Sequence, residues 1–264
     1  MRRVAASGVA LLLLAFPLPS AAQRAPVTGV DLLQAMHDAY GGAWYSTLTF
    51  VQRTVVRRPD GRDTVSIWYE SVRYTERYGS QLRIDIGAPS LGNGVLYTAD
   101  SLWVMKEGRL SNSRAGGNAL IPLIESVYLQ PVARTAAELA PTGVDLTRSV
   151  LTGTWQGRAV WIAGAASASD TTSPQIWIDG ERNVIVRALM PPVPGRPLMD
   201  ARFDAYVPLA GGWLATRCSF YVAGALVQTE EYQDWKAGMP VPASLFDVSQ
   251  WVTAPHWATA GKTP

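Results

Sequence analysis

The stretch from Gly94 to Met105 reads GVLYTADSLWVM. Two short strand-forming runs flank a polar turn, T-A-D-S, which is the layout of a hairpin. A hairpin with one face in water alternates apolar and polar residues. Here Val95, Leu96 and Tyr97 run together, and so do Leu102, Trp103, Val104 and Met105. Apolar side chains therefore project from both faces, and each face needs a cover. That requirement restricts the chain to folds in which a second layer, a curled sheet or a ligand shields the other side.

The neighbouring segments predict more of the same sheet. Leu48–Arg57, Asp63–Tyr69, Val72–Tyr78 and Gln81–Ile86 read as strands, with Pro59-Asp60-Gly61 as a turn in which Pro presets φ and Gly takes the left-handed region. Ser111–Asn118, SNSRAGGN, reads as a flexible approach to a helical stretch over Asn118–Leu139. That stretch places Leu120, Leu123, Ile124, Val127 and Tyr128, then Val132, Ala136 and Leu139, at helical spacing, with Pro131 suited to the first turn of a second helix. Strands then resume over Leu146–Thr152 and Thr154–Ala163 about a tight link at Gly153. A hairpin at Gln175–Arg187 and strands at Asp200–Val207, Trp213–Val222 and Leu226–Trp235 follow. Ala165–Ser173 is a solvated loop and Pro191–Pro197 a rigid one. One helix precedes everything: Thr28 and Asp31 form a capping start, Val30, Leu33, His37 and Tyr40 form its stripe, and Gly41-Gly42 ends it. Short strands at even spacing are the pattern of an antiparallel barrel or sandwich.

Residues 1–22 read as a secretory signal peptide. Met1-Arg2-Arg3 is a basic start, the apolar run Val9–Phe16 is shorter than the roughly 20 residues that span a bilayer, and Ser20-Ala21-Ala22 places small residues before a cut after Ala22. Residues 23–253 are then one domain and 254–264 a loosely held tail. Loss of Arg2 and Arg3 leaves 21 Lys and Arg against 21 Asp and Glu, a neutral mature chain. Neutrality argues against nucleic-acid binding, which runs on phosphate neutralisation, and against an electrostatic membrane anchor. The single cysteine, Cys218, can form no internal disulfide and shares a strand face with Leu214, Phe220 and Val222, as a buried, inert thiol would.

Motifs for catalysis are missing. H-E-x-x-H, C-x-x-C, G-x-S-x-G and phosphate-binding glycine loops do not occur, and two histidines, His37 and His256, cannot supply a zinc site. Asp85, Asp100, Asp179 and Asp204 read as turn supports at strand ends. The expectation is a protein without catalytic residues, metal or cofactor, although a carboxylate pair able to hydrolyse glycosides has no sequence signature that would reveal it. The surplus is aromatic: Trp68, Trp103, Trp161, Trp177, Trp213 and Trp235 all fall on predicted strands. A curved sheet with an apolar inner side would use them, and such a cavity takes apolar ligands held by few polar contacts.

Six short motifs, in order, resemble the periplasmic lipoprotein-carrier superfamily of LolA/LolB-like proteins, often labelled outer membrane lipoprotein-sorting proteins. They are Phe50-Val51-Gln52, Ile67-Trp68, Leu82-Arg83-Ile84-Asp85, Tyr97-Thr98-Ala99-Asp100-Ser101-Leu102-Trp103, Trp177-Ile178-Asp179 and Val241-Pro242-Ala243-Ser244-Leu245-Phe246. The resemblance implies a mainly β fold with helices (α+β): a half-open antiparallel β-barrel with helices plugging the open side and an apolar cavity between them. It implies a soluble periplasmic carrier for an acylated lipoprotein or lipid, with a delivery partner in the inner or outer membrane and no stable membrane insertion. A sensor or protein-interaction module with a filled cavity is the alternative on the same fold. The cavity candidates are Trp68, Tyr97, Trp103 and Met105 from the strands, and Leu123 and Val127 from the helical insert, which would act as the lid. The segment IWYESVRY departs from the family, whose tryptophan is followed by R-P. A lid-latching arginine has three candidates, Arg73, Arg77 and Arg83.

Overall fold

The computed structural model describes residues 25–193 and 195–259. The expected signal peptide lies outside them. Helix α1 (Gly29–Tyr40) starts at the anticipated capping box, in which the Thr28 side chain accepts from the Asp31 amide and the Asp31 carboxylate accepts from the Thr28 amide. It ends where Gly41 turns left-handed at φ 37°. Its buried stripe is Leu32, Leu33 and Met36, whereas Val30, placed on the stripe by spacing, is 43% exposed. His37 is half-buried and packs as a helix residue, its Nδ1 lying 3.0 Å from the Val127 carbonyl oxygen.

Thirteen strands form a single antiparallel sheet. The first meander is β1 (Thr47–Val56), β2 (Thr64–Thr75), β3 (Gly79–Ile86), β4 (Gly94–Tyr97), β5 (Ser101–Lys106) and β6 (Arg109–Ala115). The second is β7 (Leu151–Trp155), β8 (Arg158–Ala163), β9 (Gln175–Asp179), β10 (Ile185–Met190), β11 (Met199–Leu209), β12 (Gly212–Val222) and β13 (Ala225–Ala237). The order across the sheet is β6-β5-β4-β3-β2-β1-β13-β12-β11-β10-β9-β8-β7, so pairing of β1 with β13 joins the two meanders at the centre. Between the meanders lie α2 (Ile121–Ile124), a 3-10 turn at Ser126–Tyr128 and α3 (Val132–Leu139), with Pro131 at the N-cap of α3.

Three sequence expectations are corrected. The two segments expected at Asp63–Tyr69 and Val72–Tyr78 are one strand, β2, because Glu70 and Ser71 continue its pairing with both β1 and β3. The stretch expected as a flexible approach is β6, an edge strand whose exposed, polar residues pair with β5 and blunt the sheet edge. The β7–β8 turn sits at Gln156-Gly157, and Gly153 lies inside β7.

The sheet is open, with β6 and β7 at its two edges, and it curls. In a flat sheet β4 and β10 would stand about 34 Å apart, at seven spacings of ~4.8 Å, yet Tyr97 of β4 and Ile185 of β10 line one cavity. Non-glycine residues with positive φ at Ala205 in β11 and Asp234 in β13, together with register shifts in β1 and β12, mark irregularities of the kind that bend strands. Inner-face side chains of both meanders join α1, α2 and α3 in the main core, which includes Leu33, Phe50, Leu123, Leu139, Ile178 and Phe203.

The outer face of the first meander is covered by the C-terminal segment. Leu96, Met105 and Trp103 pack with Leu245, Phe246 and Trp251. Gly94 makes this possible: a Cβ there would stand 2.0 Å from the Ile84 carbonyl oxygen and 2.9 Å from the Trp251 ring. Beneath this cover, Arg83 donates to both oxygens of Asp85 at 2.7 Å and to the carbonyls of Leu245 (3.1 Å) and Trp251 (2.8 Å), with its guanidinium 3.8 Å from the Trp251 ring centroid. Asp85, read from sequence as a turn support, is thus a fully buried partner of Arg83. Of the tail expected to be loosely held, residues 254–259 are described. His256 is buried 3.1 Å from Asp85, and Trp257 donates to Ser71 at 2.8 Å. The Ala258 amide donates to His256 Nδ1, which leaves Nε2 as the donor to Asp85.

Candidate ligand cavity

Alternation along the central strands decides what meets the space between sheet and helices. On β2 the odd-even pattern of IWYESVRY turns Trp68, Glu70 and Val72 inward and leaves Tyr69 and Ser71 to Trp257 on the outer side. On β3, Leu82 and Ile84 face inward while Arg83 and Asp85 face outward. The inward set encloses a cavity of about 470 Å³, within the roughly 300–1,000 Å³ of small-molecule sites. Its walls are apolar and aromatic, with Phe50, Trp68, Met190, Phe203 and Leu214 among them. The helical insert forms another wall through Leu120, Ile121, Ile124 and Tyr128. Exposed lining residues, Arg114 of β6 and Pro192 of the loop after β10, mark the mouth.

An aromatic stack stiffens one side. Trp44 stacks on Tyr128 with ring centroids 3.7 Å apart, and Tyr40 meets both rings edge-on at 4.8 and 5.2 Å. Trp44 lies over Gly212, where a Cβ would come within 2.5 Å of the indole. The insert is fastened at several points. Tyr128 donates to the Asn183 carbonyl at 3.2 Å, Ser126 to Ser80 at 2.8 Å, and Arg134 to the Glu76 carbonyl at 2.8 Å.

Three carboxyls interrupt the apolar lining. Glu70, Glu125 and Glu230 are 4%, 3% and 7% exposed. Burial raises the pKa of each: Glu125 is pushed up to about 8, Glu230 up to about 7, and Glu70 well above the usual carboxylate range, with the charge of Glu230 adding to the effect of burial. Glu125 accepts from the Trp44 indole at 3.4 Å, and its Oε1 has no partner among the described residues. Glu230 accepts from Gln228 (2.6 Å) and Tyr232 (2.9 Å). Cys218 also lines the cavity, its Sγ 3.4 Å from the Tyr232 hydroxyl, and burial pushes its thiol well up, so the group is inert as expected.

The sequence-predicted residues divide. Trp68 and Tyr97 line the cavity. Trp103 and Met105 lie on the outer face under the C-terminal segment, because Leu102 is the residue that pairs with Tyr97 and shares its side of the sheet. Leu123 and Val127 are fully buried in the main core, one position away from insert residues that do line the void. Of the three arginines, Arg83 holds the C-terminal segment, Arg73 stacks on Phe246 at 4.7 Å, and Arg77 lies over Tyr78 at 5.0 Å. The arginine that ties down the insert is Arg134. The buried glutamates were missed. For Glu70 a signal existed, since it shares strand parity with Trp68 and Val72. Glu230, in TEEYQDW, reads like an exposed charge pair. Among the described residues no group of three or more His, Cys, Asp and Glu is placed to hold a metal ion, and no helix is long and apolar enough to cross a membrane.

Solved structures share this architecture. A domain assigned as an outer membrane lipoprotein-sorting protein, from Vibrio parahaemolyticus, superposes with a TM-score of 0.59 at 10% identity, covering 85% of this chain and 98% of that one. A DUF1329 family protein from Desulfovibrio piger gives 0.56 at 13% identity over 83% and 95% of the two chains. A LolA superfamily protein from Nitrosomonas europaea gives 0.47 at 16% identity over 83% and 97%. No protein-family model and no curated protein matches the sequence. At these identities the likeness is one of fold.

Proposed function

We propose that this chain, which has the fold of the lipoprotein-sorting domain it superposes on, is a periplasmic carrier that holds the acyl chains of a lipoprotein or lipid and catalyses nothing. The observation that carries the reading is the cavity of about 470 Å³ walled by Phe50, Trp68, Phe203 and Leu214 between the sheet and the helical insert. Protein interiors normally close such voids, since their lining forfeits dispersion contacts. An acyl chain restores those contacts, and each methylene removed from water contributes about 0.8 kcal/mol. A sensor with a filled cavity would have no use for the space.

In this reading the insert from Leu120 to Leu139 is the lid that plugs the open side of the half-barrel. It is held to the rest of the domain by apolar packing through Leu123, Val127 and Leu139 as well as by the hydrogen bonds of Tyr128, Ser126 and Arg134. Export rests on the leader sequence through Ala22, and unloading would involve a delivery partner in one of the two membranes. The test is native mass spectrometry of protein purified from a periplasm, followed by delipidation and titration with an acyl ligand. A co-purifying lipid, or stoichiometric uptake of the added ligand, is the expected outcome. Ligand-free spectra combined with no uptake would overturn the carrier reading.

A further inference from the structure

The inner face of the sheet holds a feature that an acyl chain does not use. Glu70 of β2 and Glu230 of β13 flank the central strand β1, where Phe50 stands opposite Glu70 and Thr54 opposite Glu230. Both carboxyls line the cavity and both are more than nine-tenths buried. Glu230 accepts two hydrogen bonds, from Gln228 and Tyr232. Glu70 makes no hydrogen bond or ion pair with any described residue, and it is aimed into the void. A buried carboxyl without a partner carries the full cost of its lost hydration, and an apolar side chain in its place would line the cavity at no such cost. Among the described residues Arg114 is the only basic side chain of the lining, and it sits at the exposed mouth.

We propose that Glu70 is the recognition point for a primary ammonium carried directly on an apolar body. The inference rests on the cavity being a ligand site, as proposed above, and adds the chemistry of the ligand's polar end. An ammonium offers three N–H donors and one positive charge. It can donate to Glu70, supplying the partner that Glu70 lacks, and its charge offsets the repulsion that Glu230 adds. A hydroxyl offers one donor and no charge. A fatty-acid carboxylate brings a negative charge into a lining that, among the described residues, holds three buried carboxyls and no buried basic side chain. An ammonium placed beyond a phosphate, as in an ethanolamine phospholipid, would bring a phosphate to the floor of the cavity, where no basic side chain stands to receive it.

The order of binding therefore follows the head group when the chain is kept constant. The experiment is displacement of a fluorescent apolar probe from the delipidated protein by dodecylamine, dodecanol, dodecanoate and a lysophosphatidylethanolamine of equal chain length. Dodecylamine is expected to displace at a concentration at least about tenfold below dodecanol, with dodecanoate and the lysophospholipid weaker than dodecylamine. Glu70→Gln, which keeps side-chain size, is expected to abolish the amine advantage over dodecanol, and a circular-dichroism melt reports that the variant is folded. Equal displacement by amine, alcohol and acid, or an amine advantage that survives Glu70→Gln in the folded variant, overturns the ammonium site and leaves the carrier reading standing. Lysophosphatidylethanolamine matching dodecylamine overturns direct attachment and assigns the ammonium to a phospholipid head. No probe uptake, and no binding of any of the four, overturns the carrier reading itself.

Discussion

Strands β2 and β3 carry buried carboxylates on both faces, and the two faces treat them in opposite ways. Outside, Asp85 is held by Arg83 in a two-pronged pair at 2.7 Å, with His256 on one oxygen and backbone carbonyls on the remaining guanidinium protons. Both oxygens of Asp85 have protein partners there, and the arrangement clasps residues 245–257 to the sheet. Inside, Glu70 has no partner and stands beside a void. A buried charge completed by its own chain is an element of the fold. A buried carboxyl left incomplete next to a cavity marks the place where something else completes it.

The far end of the outer face repeats the first pattern with different parts. Trp155 and Trp177 meet edge-on at 5.5 Å, Arg187 lies over both, and Asp200 pairs with Arg187 at 2.7 Å and Arg202 at 2.8 Å. There the cover comes from the strands themselves. On the first meander Arg73 and Arg83 stack instead on rings of the C-terminal segment, Phe246 and Trp251.

The contrast is broken most severely at Arg83. Replacing it by Met leaves Asp85 buried with His256 as its remaining side-chain partner, and the expected loss is about 3–5 kcal/mol in a denaturant titration. A loss below about 1 kcal/mol would mean that the clasp is not what holds the segment. Ligand uptake per folded molecule should not change, because the pair lies on the other side of the sheet.

The next largest effect is in the pH dependence of stability. Glu125 and Glu230 keep their protons in the folded protein up to about pH 8 and 7, whereas in the unfolded chain they ionise near pH 4.5. Between those limits the unfolded state has released protons that the folded state still binds, so stability falls as pH rises. Each group contributes a slope approaching ~1.4 kcal/mol per pH unit. Glu125→Gln should flatten the decline between pH 5 and 8 in thermal melts. An unchanged slope would show that Glu125 is ionised in the folded state. Asp200 works with the opposite sign: burial would raise it, but Arg187 and Arg202 hold it below its usual value, so its contribution is lost as pH falls through the acid range.

Two tryptophans separate the faces at smaller cost. Trp103→Asp should lower stability by about 1–3 kcal/mol and leave uptake of an acyl probe intact, since the side chain meets Leu245, Phe246 and Trp251 rather than the cavity. Trp68→Ala should do the reverse, costing about 1 kcal/mol or less while weakening probe binding severalfold. If Trp103→Asp instead abolishes uptake at unchanged stability, the assignment of the two faces is wrong.

Much of the fold is legible in the chain. Thr28 and Asp31 announce α1, alternating segments with Asp-Gly or Gly-Gly turns announce most strands, and the interruption at Leu120–Leu139 announces the insert. These are local signals, set by turn geometry and side-chain period. β6 was not legible because RLSNSRA has no apolar face, and it is a strand only through its pairing with β5. The doubly apolar hairpin at Gly94–Met105 showed that two covers were needed but not which was which. Alternation fixes that Leu96 and Trp103 share a face opposite Tyr97 and Leu102, and nothing local says which face turns inward.

By itself, then, the sequence determined an antiparallel β domain with one helical insert and two apolar faces on the Gly94–Met105 hairpin. Only the tertiary structure decided that residues 241–257 fold back over the outer face, that Arg83 serves them rather than the helical insert, and that Glu70 and Glu230 meet a common cavity. The reason is range. Caps, turns and strand periods are settled among residues a few positions apart, whereas Arg83 meets Trp251, and β1 meets β13, only after the whole chain has closed on itself.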